Sequence, residues 1–383
     1  MPAPTQWKAS DLTPAVIKAS DGSIRTVTGQ RDGSRPGDSD DSGSVGVIFS
    51  ENFNDQPDWT STSESLDNTQ LATTHSIPDG WYGIYQTTQW SPETGHSEKH
   101  ASMEILASNT DKTRSGSGKS AVFWRESYSF GDGYHWASDA QFVKVLENDH
   151  QEIYVEFYVR FSDEWYQRGK DFTAEGWEAW QSKIFRVGYW DRDGSIWNSF
   201  GDGDGGSVNP RMFWGYKVDS YGTRNTISAF QGPPTGSSKS VTDLGGSLNF
   251  IADTDGQEVG GTNPQLPDLV NGGLLRDSPT LISHEQVYGS TEVWTKIAFR
   301  VKMNSAPGVK DGVLSQWMNG HRILHNEAVD WINTDNDKPV TGWNFIAIGG
   351  NDFFRPYPDA NKFEDWWALD DLVVRDSLPE ELT

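Results

Sequence analysis

Hydrophobic and polar residues alternate strictly along residues 293–303. The apolar positions share one side of an extended chain: Val293, Ile297, Phe299, Val301 and Met303. The polar or amphipathic positions share the other side: Trp294, Lys296, Arg300 and Lys302. Because successive side chains of a β-strand point to opposite faces, this pattern predicts a strand with one face in a core and one face outside.

Similar short segments, separated by turn residues, recur from residue 46 onward. The predicted strands are 46–53, 119–126, 151–161, 181–188, 211–218, 226–230, 293–303, 313–318, 322–325, 344–349 and 368–374. The pair Asn319-Gly320 between two of them is typical of a β-hairpin turn. Segment 232–292 is rich in Gly, Pro, Ser and Asp, which indicates a long loop. The pattern therefore predicts an all-β protein.

Residues 1–45 differ in composition from the rest of the chain. Gly, Ser, Asp and Thr dominate there, and the run Asp38-Ser-Asp-Asp-Ser-Gly-Ser is typical of a linker. We predict two regions, an extended N-terminal arm over residues 1–45 and one β-sandwich over residues 46–383. We expect a partner to hold the arm, either its own sandwich, a neighbouring molecule or other subunits of an assembly. If it docks on neighbouring subunits, deleting it should leave a folded sandwich that no longer assembles.

Composition and charge exclude several classes of function. The chain of 383 residues has no Cys, which excludes disulfides and thiolate chemistry. A net charge of −24 argues against a nucleic-acid partner. No apolar run reaches about 18 residues, so we expect no membrane span. The first residues lack the basic and apolar regions of a secretory signal, so no signal peptide is predicted.

Several segments carry a family resemblance. They are WTKIAFRVKMN (294–304), DGVLSQWMNGHRI (311–323), FIAIGGND (345–352), WWALDDLVV (366–374), IFSENFND (48–55) and RSGSGKSAVFWRES (114–127). Together they resemble the concanavalin A-like lectin/glucanase superfamily, and within it the jelly-roll polysaccharide lyases and their non-catalytic relatives. The resemblance implies a jelly-roll sandwich of two antiparallel sheets with long loops. It also implies that the strands at 48–53 and 369–374 pair side by side as the terminal strands.

The predicted strand at 151–161 carries two carboxylates on its polar face. Glu152-Ile-Tyr-Val-Glu156 resembles the Glu-x-Asp-x-Glu strand of the superfamily's retaining glucanases, whose outer carboxylates are nucleophile and acid/base. This chain departs from that pattern because Tyr154 replaces the central Asp. The alternative interpretation is an ordinary polar strand face, and a glucanase-type glycoside hydrolase is our third functional hypothesis.

Elimination chemistry on an acidic glycan requires a cation or amide for the carboxylate, a base and an acid. The segment QSKIFRVGYW (181–190) loosely resembles the lysine-bearing strand of the lyase family. The catalytic candidates under this hypothesis are Lys183, Arg186, Tyr154, Tyr158 and His321. The same residue types are common on any polar sheet face, so both interpretations stay open.

The aromatic content favours carbohydrate more generally. The chain has 18 Trp, and a flat apolar ring with one polar edge suits the face of a sugar. The candidate glycan-binding residues are Trp214, Tyr216, Lys296, Arg300 and Trp317. Lys296, Arg300 and Lys302 form a local basic strip that suits an acidic sugar at short range.

Asp-x-Asp-Gly sequences suggest a metal ion. The carboxylates of Asp191 and Asp193, of Asp202 and Asp204, and of Asp253 and Asp255 each lie in a Gly-containing turn. Closely spaced carboxylates suit Ca²⁺, which binds six to eight oxygens. Acidic surface turns in a chain with 55 Asp and Glu are the alternative explanation.

Taken together, these features predict a carbohydrate-recognising β-sandwich that binds a polysaccharide or other glycan without turnover. The missing signal peptide and the polar arm suit a virion surface, such as a phage decoration or adhesion protein. The alternative is a polysaccharide lyase that acts by β-elimination on an acidic glycan.

Overall fold

The computed structural model describes residues 15–18, 24–27, 46–61, 77–86, 89–91, 96–125, 135–163, 165, 180–200, 209–219, 222–230, 293–332, 340–354 and 365–382. Strands make up most of the regular structure there. They are β1 Ala15–Lys18, β2 Ile24–Val27, β3 Val47–Glu51, β4 Trp59–Thr60, β5 Gly83–Gln86, β6 Gln89–Ser91, β7 His96–His100, β8 Met103–Ile105, β9 Ala121–Trp124, β10 His135–His150, β11 Glu152–Phe161, β12 Trp180–Gly188, β13 Arg211–Asp219, β14 Gly222–Phe230, β15 Thr295–Lys302, β16 Gly312–Met318, β17 His321–Val329, β18 Trp343–Phe354 and β19 Trp366–Arg375. Short 3-10 helices span Thr110–Lys112, Ile196–Ser199 and Glu380–Leu382.

Two antiparallel sheets form a sandwich. The nine-stranded sheet has the order β17-β16-β15-β11-β19-β9-β8-β4, and β3 also pairs with β19. The six-stranded sheet has the order β14-β13-β12-β18-β10-β5. The pairs β1-β2 and β6-β7 form two further small sheets. The fold class predicted from the sequence, an all-β jelly-roll sandwich of two antiparallel sheets, is confirmed.

The two terminal strands of the sandwich pair as the resemblance implied. β3 runs antiparallel to β19, with Phe49 opposite Val374 and Glu51 opposite Leu372. This pairing confirms the prediction for the strands at 48–53 and 369–374. It also places residues that are more than 300 positions apart in sequence next to each other in the sheet.

Aromatic side chains between the two sheets fill the core. Phe157 of β11 packs against Phe185 of β12 with ring centroids 5.0 Å apart. Phe185 stacks on Phe299 of β15 with an interplanar angle of 5°. The alternation predicted for residues 293–303 is confirmed, because Ile297, Phe299 and Val301 are buried while Lys302 is exposed.

A buried ion-pair network also joins the two sheets. Arg125, which follows β9, donates from Nε to Asp352 of β18 at 2.9 Å. Its Nη1 lies 3.6 Å from Asp365, which in turn accepts from Ser162 at 2.9 Å. Burial raises the pKa of Asp352, while the Arg125 charge opposes that shift. Such a network depends on every partner, because a single buried charge left alone is costly.

Sequence patterns missed one of the principal strands of the six-stranded sheet. β10 spans 16 residues and pairs antiparallel with both β18 and β5. Its pairing with β18 shifts register twice, between Ala137 and Ala140 and between Val145 and His150. Each irregularity interrupts strict alternation, so the sequence HWASDAQFVKVLENDH does not show a period of two.

Two sequence predictions lie largely outside the described residues. Of the predicted N-terminal arm, β1 and β2 are described, and they pair as an antiparallel hairpin. The predicted long loop at 232–292 is outside the described ranges. Within those ranges, no helix is long and apolar enough to cross a membrane.

Candidate functional site

The catalytic candidates on β11 and β12 fall on two opposite outer faces of the sandwich. Glu152, Tyr154, Glu156 and Tyr158 alternate with the core residues of β11, so they lie on the outward face of the nine-stranded sheet. Arg186 alternates with the core residues Phe185 and Val187 of β12, so it lies on the outward face of the six-stranded sheet. The core separates these faces, so the structure does not combine Arg186 with Tyr154 or Tyr158 in one lyase site.

Both carboxylates of the glucanase-like strand are held by cations of β15. Arg300 donates to the two carboxylate oxygens of Glu152 at 2.8 and 3.2 Å. Lys296 Nζ lies 2.7 Å from Glu156, which also accepts from the Tyr154 hydroxyl at 2.7 Å. Lys296 and Arg300 therefore form ion pairs with neighbouring carboxylates, and the basic strip predicted from the sequence is largely neutralised.

A groove of about 460 Å³ opens on the outward face of the nine-stranded sheet. It lies where β3, β11, β15 and β19 meet. Its lining residues are Ser50, Glu51, Asn52, Asp55, Arg114, Glu156, Tyr158, Lys296, Asp371, Leu372 and Val373. The lining residues thus include four acids and two cations. One of the acids, Glu51, already accepts from the Phe53 amide at 2.6 Å and from Gln56 Nε2 at 2.5 Å.

Arg114 holds one side of this groove together. Its guanidinium lies 3.6 Å from the ring centroid of Tyr158 and pairs with the carboxylate of Asp371. Asp371 sits at a break in register between β11 and β19, where Glu156 faces Val373 and Tyr158 faces Asp370. The φ of Asp371 is 49°, a left-handed conformation that is uncommon for residues other than Gly. This β-bulge turns the Asp371 carboxylate toward the groove.

A buried acid, Asp370, directly precedes Asp371 in β19. Burial raises the pKa of Asp370 to about 7, and the neighbouring Asp371 carboxylate adds to the shift. Hydrogen bonds from the amides of Asp371 and Arg114 act in the opposite direction. Asp370 is 4% exposed and lies opposite Tyr158 in register, beside the bulge but outside the groove lining.

On the opposite face, polar residues of the six-stranded sheet cluster beside aromatic rings. Arg186 Nη1 donates to Gln141 Oε1 at 2.6 Å and lies 4.8 Å from the ring of Phe200. Lys183 Nζ lies 5.6 Å from the ring of Phe213. Lys183 and Arg186 are both buried.

The two Trp candidates for glycan binding lie in different parts of the sandwich. Trp214 is 0% exposed and packs against Phe157 and Phe299 between the sheets. This placement corrects the sequence expectation, because a ring with no exposed face cannot stack on a sugar. Trp317 is on the outward face of the nine-stranded sheet, next to Tyr154.

The remaining candidates are placed by their backbone alone. Tyr216 of β13 pairs with Ser182 of β12. His321 begins β17, opposite Met318 of β16, and is thus on a different sheet from Lys183.

The described part of the chain contains no cluster of side chains that supports the predicted metal site. No group of three or more His, Asp or Glu side chains that could hold a metal ion occurs there. Asp191 and Asp193 are exposed, and the Asp193 amide donates to the Asp191 carboxylate at 3.1 Å. Asp202 and Asp204 lie outside the described residues, as do Asp253 and Asp255.

Sequence reasoning missed Arg114, Asp371 and Glu51 as groove residues. Arg114 precedes a Gly-rich turn, and Asp371 is the second acid of a consecutive pair within a strand. Two adjacent acids inside an apolar strand were the available signal, since such a pair breaks alternation and suggests a bulge.

Comparisons with known proteins find structures with a similar fold and very low sequence identity. No family model matches the chain, and no curated protein matches it. The alginate lyase Aly36B, in a mutant complex with an alginate tetrasaccharide, is 12% identical over 87% of this chain and 98% of its own, with a TM-score of 0.41. The alginate lyase vAL-1 from Chlorella virus is 12% identical over 67% of this chain and 84% of its own, with a TM-score of 0.34.

A third similar structure is a toxin domain. The botulinum neurotoxin serotype C1 binding domain is 10% identical over 86% of this chain and 50% of that chain, with a TM-score of 0.29. At these identities and TM-scores, none of the likenesses says what this chain binds or whether it is an enzyme.

Proposed function

We propose that the protein binds a neutral polysaccharide in the groove on the outward face of the nine-stranded sheet and releases it unchanged. The observation that carries this proposal is the composition of the groove wall. Arg114 and Lys296 supply donors, and Asp55, Glu156 and Asp371 supply acceptors. Sugar hydroxyls both donate and accept, so a wall of mixed donors and acceptors suits their recognition.

The negative charge of the groove favours the binding of neutral glycans over acidic ones. Four acidic and two basic lining residues give a formal net charge of −2. The whole chain carries −24, which adds a long-range repulsion for polyanions. Lys296 and Arg114 are already paired with Glu156 and Asp371. A uronic acid would therefore have to compete with carboxylates of the protein for the same cations.

The proposal predicts a specific binding pattern. Neutral polysaccharides should retain the protein on an affinity column, with little dependence on salt, while uronate polymers should not. Lys296→Ala should weaken the retention, because it removes a donor and leaves Glu156 without its ion-pair partner. Lys310→Ala is the matched control, since Lys310 is an exposed lysine away from the groove. Preferential binding of a uronate polymer, or equal retention of the two variants, would contradict the proposal.

A second candidate function is a polysaccharide lyase on the opposite face. It is favoured by the pairing of Arg186 with Gln141 near Lys183, since a cation and an amide are the groups that neutralise a uronate carboxylate during elimination. The test is ultraviolet absorbance of the unsaturated product during incubation with acidic polysaccharides. A signal lost in Lys183→Ala and kept in Lys296→Ala would establish the lyase in place of our main proposal.

The location of the protein and its assembly with other subunits stay predictions. The virion surface and the docking of the N-terminal arm on other subunits were inferred from the sequence. Deleting residues 1–45 and measuring the size of the assembly tests the second of these.

A further inference from the structure

The outward face of the nine-stranded sheet continues past the groove onto a small aromatic patch. Tyr154 and Trp317 meet edge to face with ring centroids 6.0 Å apart, and Ala298 completes the patch. These rings lie on an outward face and yet are 1% and 5% exposed. Two leucines near the C terminus, Leu378 and Leu382, pack over them.

These leucines belong to residues 376–382, which we call the C-terminal cover. β19 ends at Arg375, and the amide of Asp376 then donates to the carbonyl of Gly46 at 2.9 Å. The amide of Leu382 donates to Pro379 at 3.0 Å, within the cover itself. The cover thus leaves the sheet after this bond and contacts the patch through leucines that are only partly buried. Segments of this kind open locally at low free-energy cost, without unfolding the core.

The patch adjoins the groove. The Tyr154 hydroxyl donates to Glu156 at 2.7 Å, and Glu156 lines the groove. Trp317 pairs in register with Ala298, the neighbour of Glu156 across β11 and β15. Removing the cover would therefore extend the open surface from the groove directly onto two aromatic rings.

Aromatic rings next to a polar groove are suited to a sugar chain. A ring offers an apolar face for sugar C–H groups, and the Tyr hydroxyl and Trp N–H offer polar edges. The cover carries Glu380 and Glu381 at exposed positions. Glu381 lies near enough to Tyr154 for its charge to raise the pKa of the tyrosine, after the larger effects of burial and Glu156.

We infer that a long glycan displaces the C-terminal cover, and that the Tyr154–Trp317 patch then becomes a second sugar subsite continuous with the groove. This inference rests on the proposed function of the groove and adds a dependence on ligand length. Short glycans fill the groove and leave the cover closed. Long glycans reach the patch and contact the rings, at the cost of opening the cover.

The binding test uses full-length protein with the substitutions Leu378→Ser and Leu382→Ser together. Affinity for neutral oligosaccharides of increasing length is measured by calorimetry. We expect unchanged affinity for the shortest binding oligosaccharide and a gain of about tenfold for long ones, the size of one good aromatic contact. Adding Trp317→Ala should abolish the gain. Val309→Ser, which removes an exposed apolar side chain elsewhere, is the matched control.

The outcomes separate the two proposals. Groove binding with the same affinity in the double variant at every length would overturn the cover inference alone. No binding at any length would overturn the groove proposal together with the inference.

A measurement without ligand tests the cover directly. Amide hydrogen exchange of the wild-type protein should be fast in residues 378–382 and slow in β19, which pairs with β11, β9 and β3. Protection of the cover equal to that of β19 would overturn the inference, because the cover would then open only when the whole sandwich unfolds.

Discussion

The guanidinium of Arg114 lies 3.6 Å from the ring centroid of Tyr158 while it also pairs with Asp371. Arg114 comes from the loop before β9, Tyr158 from β11 and Asp371 from the bulge in β19. One side chain therefore fixes three parts of the nine-stranded sheet at the wall of the groove. A planar cation is suited to this role because it stacks on a ring and bonds a carboxylate at the same time.

Arg114→Ala should weaken glycan binding and destabilise the fold. The Tyr158 ring loses its stacking partner and the partly buried Asp371 loses its counter-ion, so we expect a loss of about 1–3 kcal/mol in the free energy of unfolding. Arg114→Lys keeps the charge but not the planar stack, so it should restore only part of both effects. Urea unfolding and calorimetry measure the two quantities. Unchanged glycan affinity in Arg114→Ala would contradict the assigned groove.

The stability of the protein should depend on the protonation of Asp370. Its pKa is about 7 in the folded protein, against an ordinary value of 3.8. Because the folded state binds this proton more tightly, the contribution of Asp370 to stability is fully present below 3.8 and is lost as the pH rises through about 7. The slope should reach at most about 1.4 kcal/mol per pH unit.

Asp370→Asn removes this titration. The variant should show a flatter dependence of unfolding free energy on pH than the wild type, and it should be relatively more stable at alkaline pH. Urea unfolding across this pH range measures both. Parallel curves for the two proteins would show that Asp370 does not titrate as described.

Arg125→Leu should be strongly destabilising. It leaves Asp352 and Asp365 as buried carboxylates without their shared cation, and breaking such a pair costs about 3–5 kcal/mol. Acidification should rescue part of the loss, because burial already raises the pKa of Asp352 and its protonation removes one unpaired charge. Arg322→Ala, at an exposed position of β17, is the control and should change stability by less than about 0.5 kcal/mol. A small effect of Arg125→Leu would mean that the network does not tie the sheets together.

Trp214→Ala should act on stability and not selectively on binding. The side chain fills the core against Phe157 and Phe299, so its loss should cost about 3–5 kcal/mol. Trp317→Ala, on the outward face, should cost less because only one small patch and the cover lose contacts. A comparison of thermal unfolding in the two variants checks this order. If the Trp214→Ala variant were fully stable and selectively lost glycan binding, Trp214 would instead be a glycan-binding residue.

The sequence by itself determined those strands of the sandwich whose side chains alternate regularly, and the faces of those strands. Strict alternation at 151–161 and 293–303 shows which residues enter the core, because a period of two leaves only two sides to choose from. The terminal pairing of β3 with β19 was likewise expected, from the resemblance of both segments to terminal strands. Alternation says which face a residue is on, but nothing about what covers that face. It therefore could not show that Trp317 is covered. Trp214 follows the apolar residues Met212 and Phe213 without alternation, so the pattern did not assign its face either.

Only the tertiary structure decided which side chains meet. The strand order places β12 in one sheet and β11 in the other, which separates Arg186 from Tyr158 by the whole core. Arg114 and Asp371 are 257 positions apart, and a single bulge with a left-handed residue turns Asp371 toward its partner. A local pattern carries no information about such contacts, because they depend on sheet order and on irregularities that break the period. The groove is therefore a property of how the strands assemble, whereas the core face of each strand is already visible in its sequence.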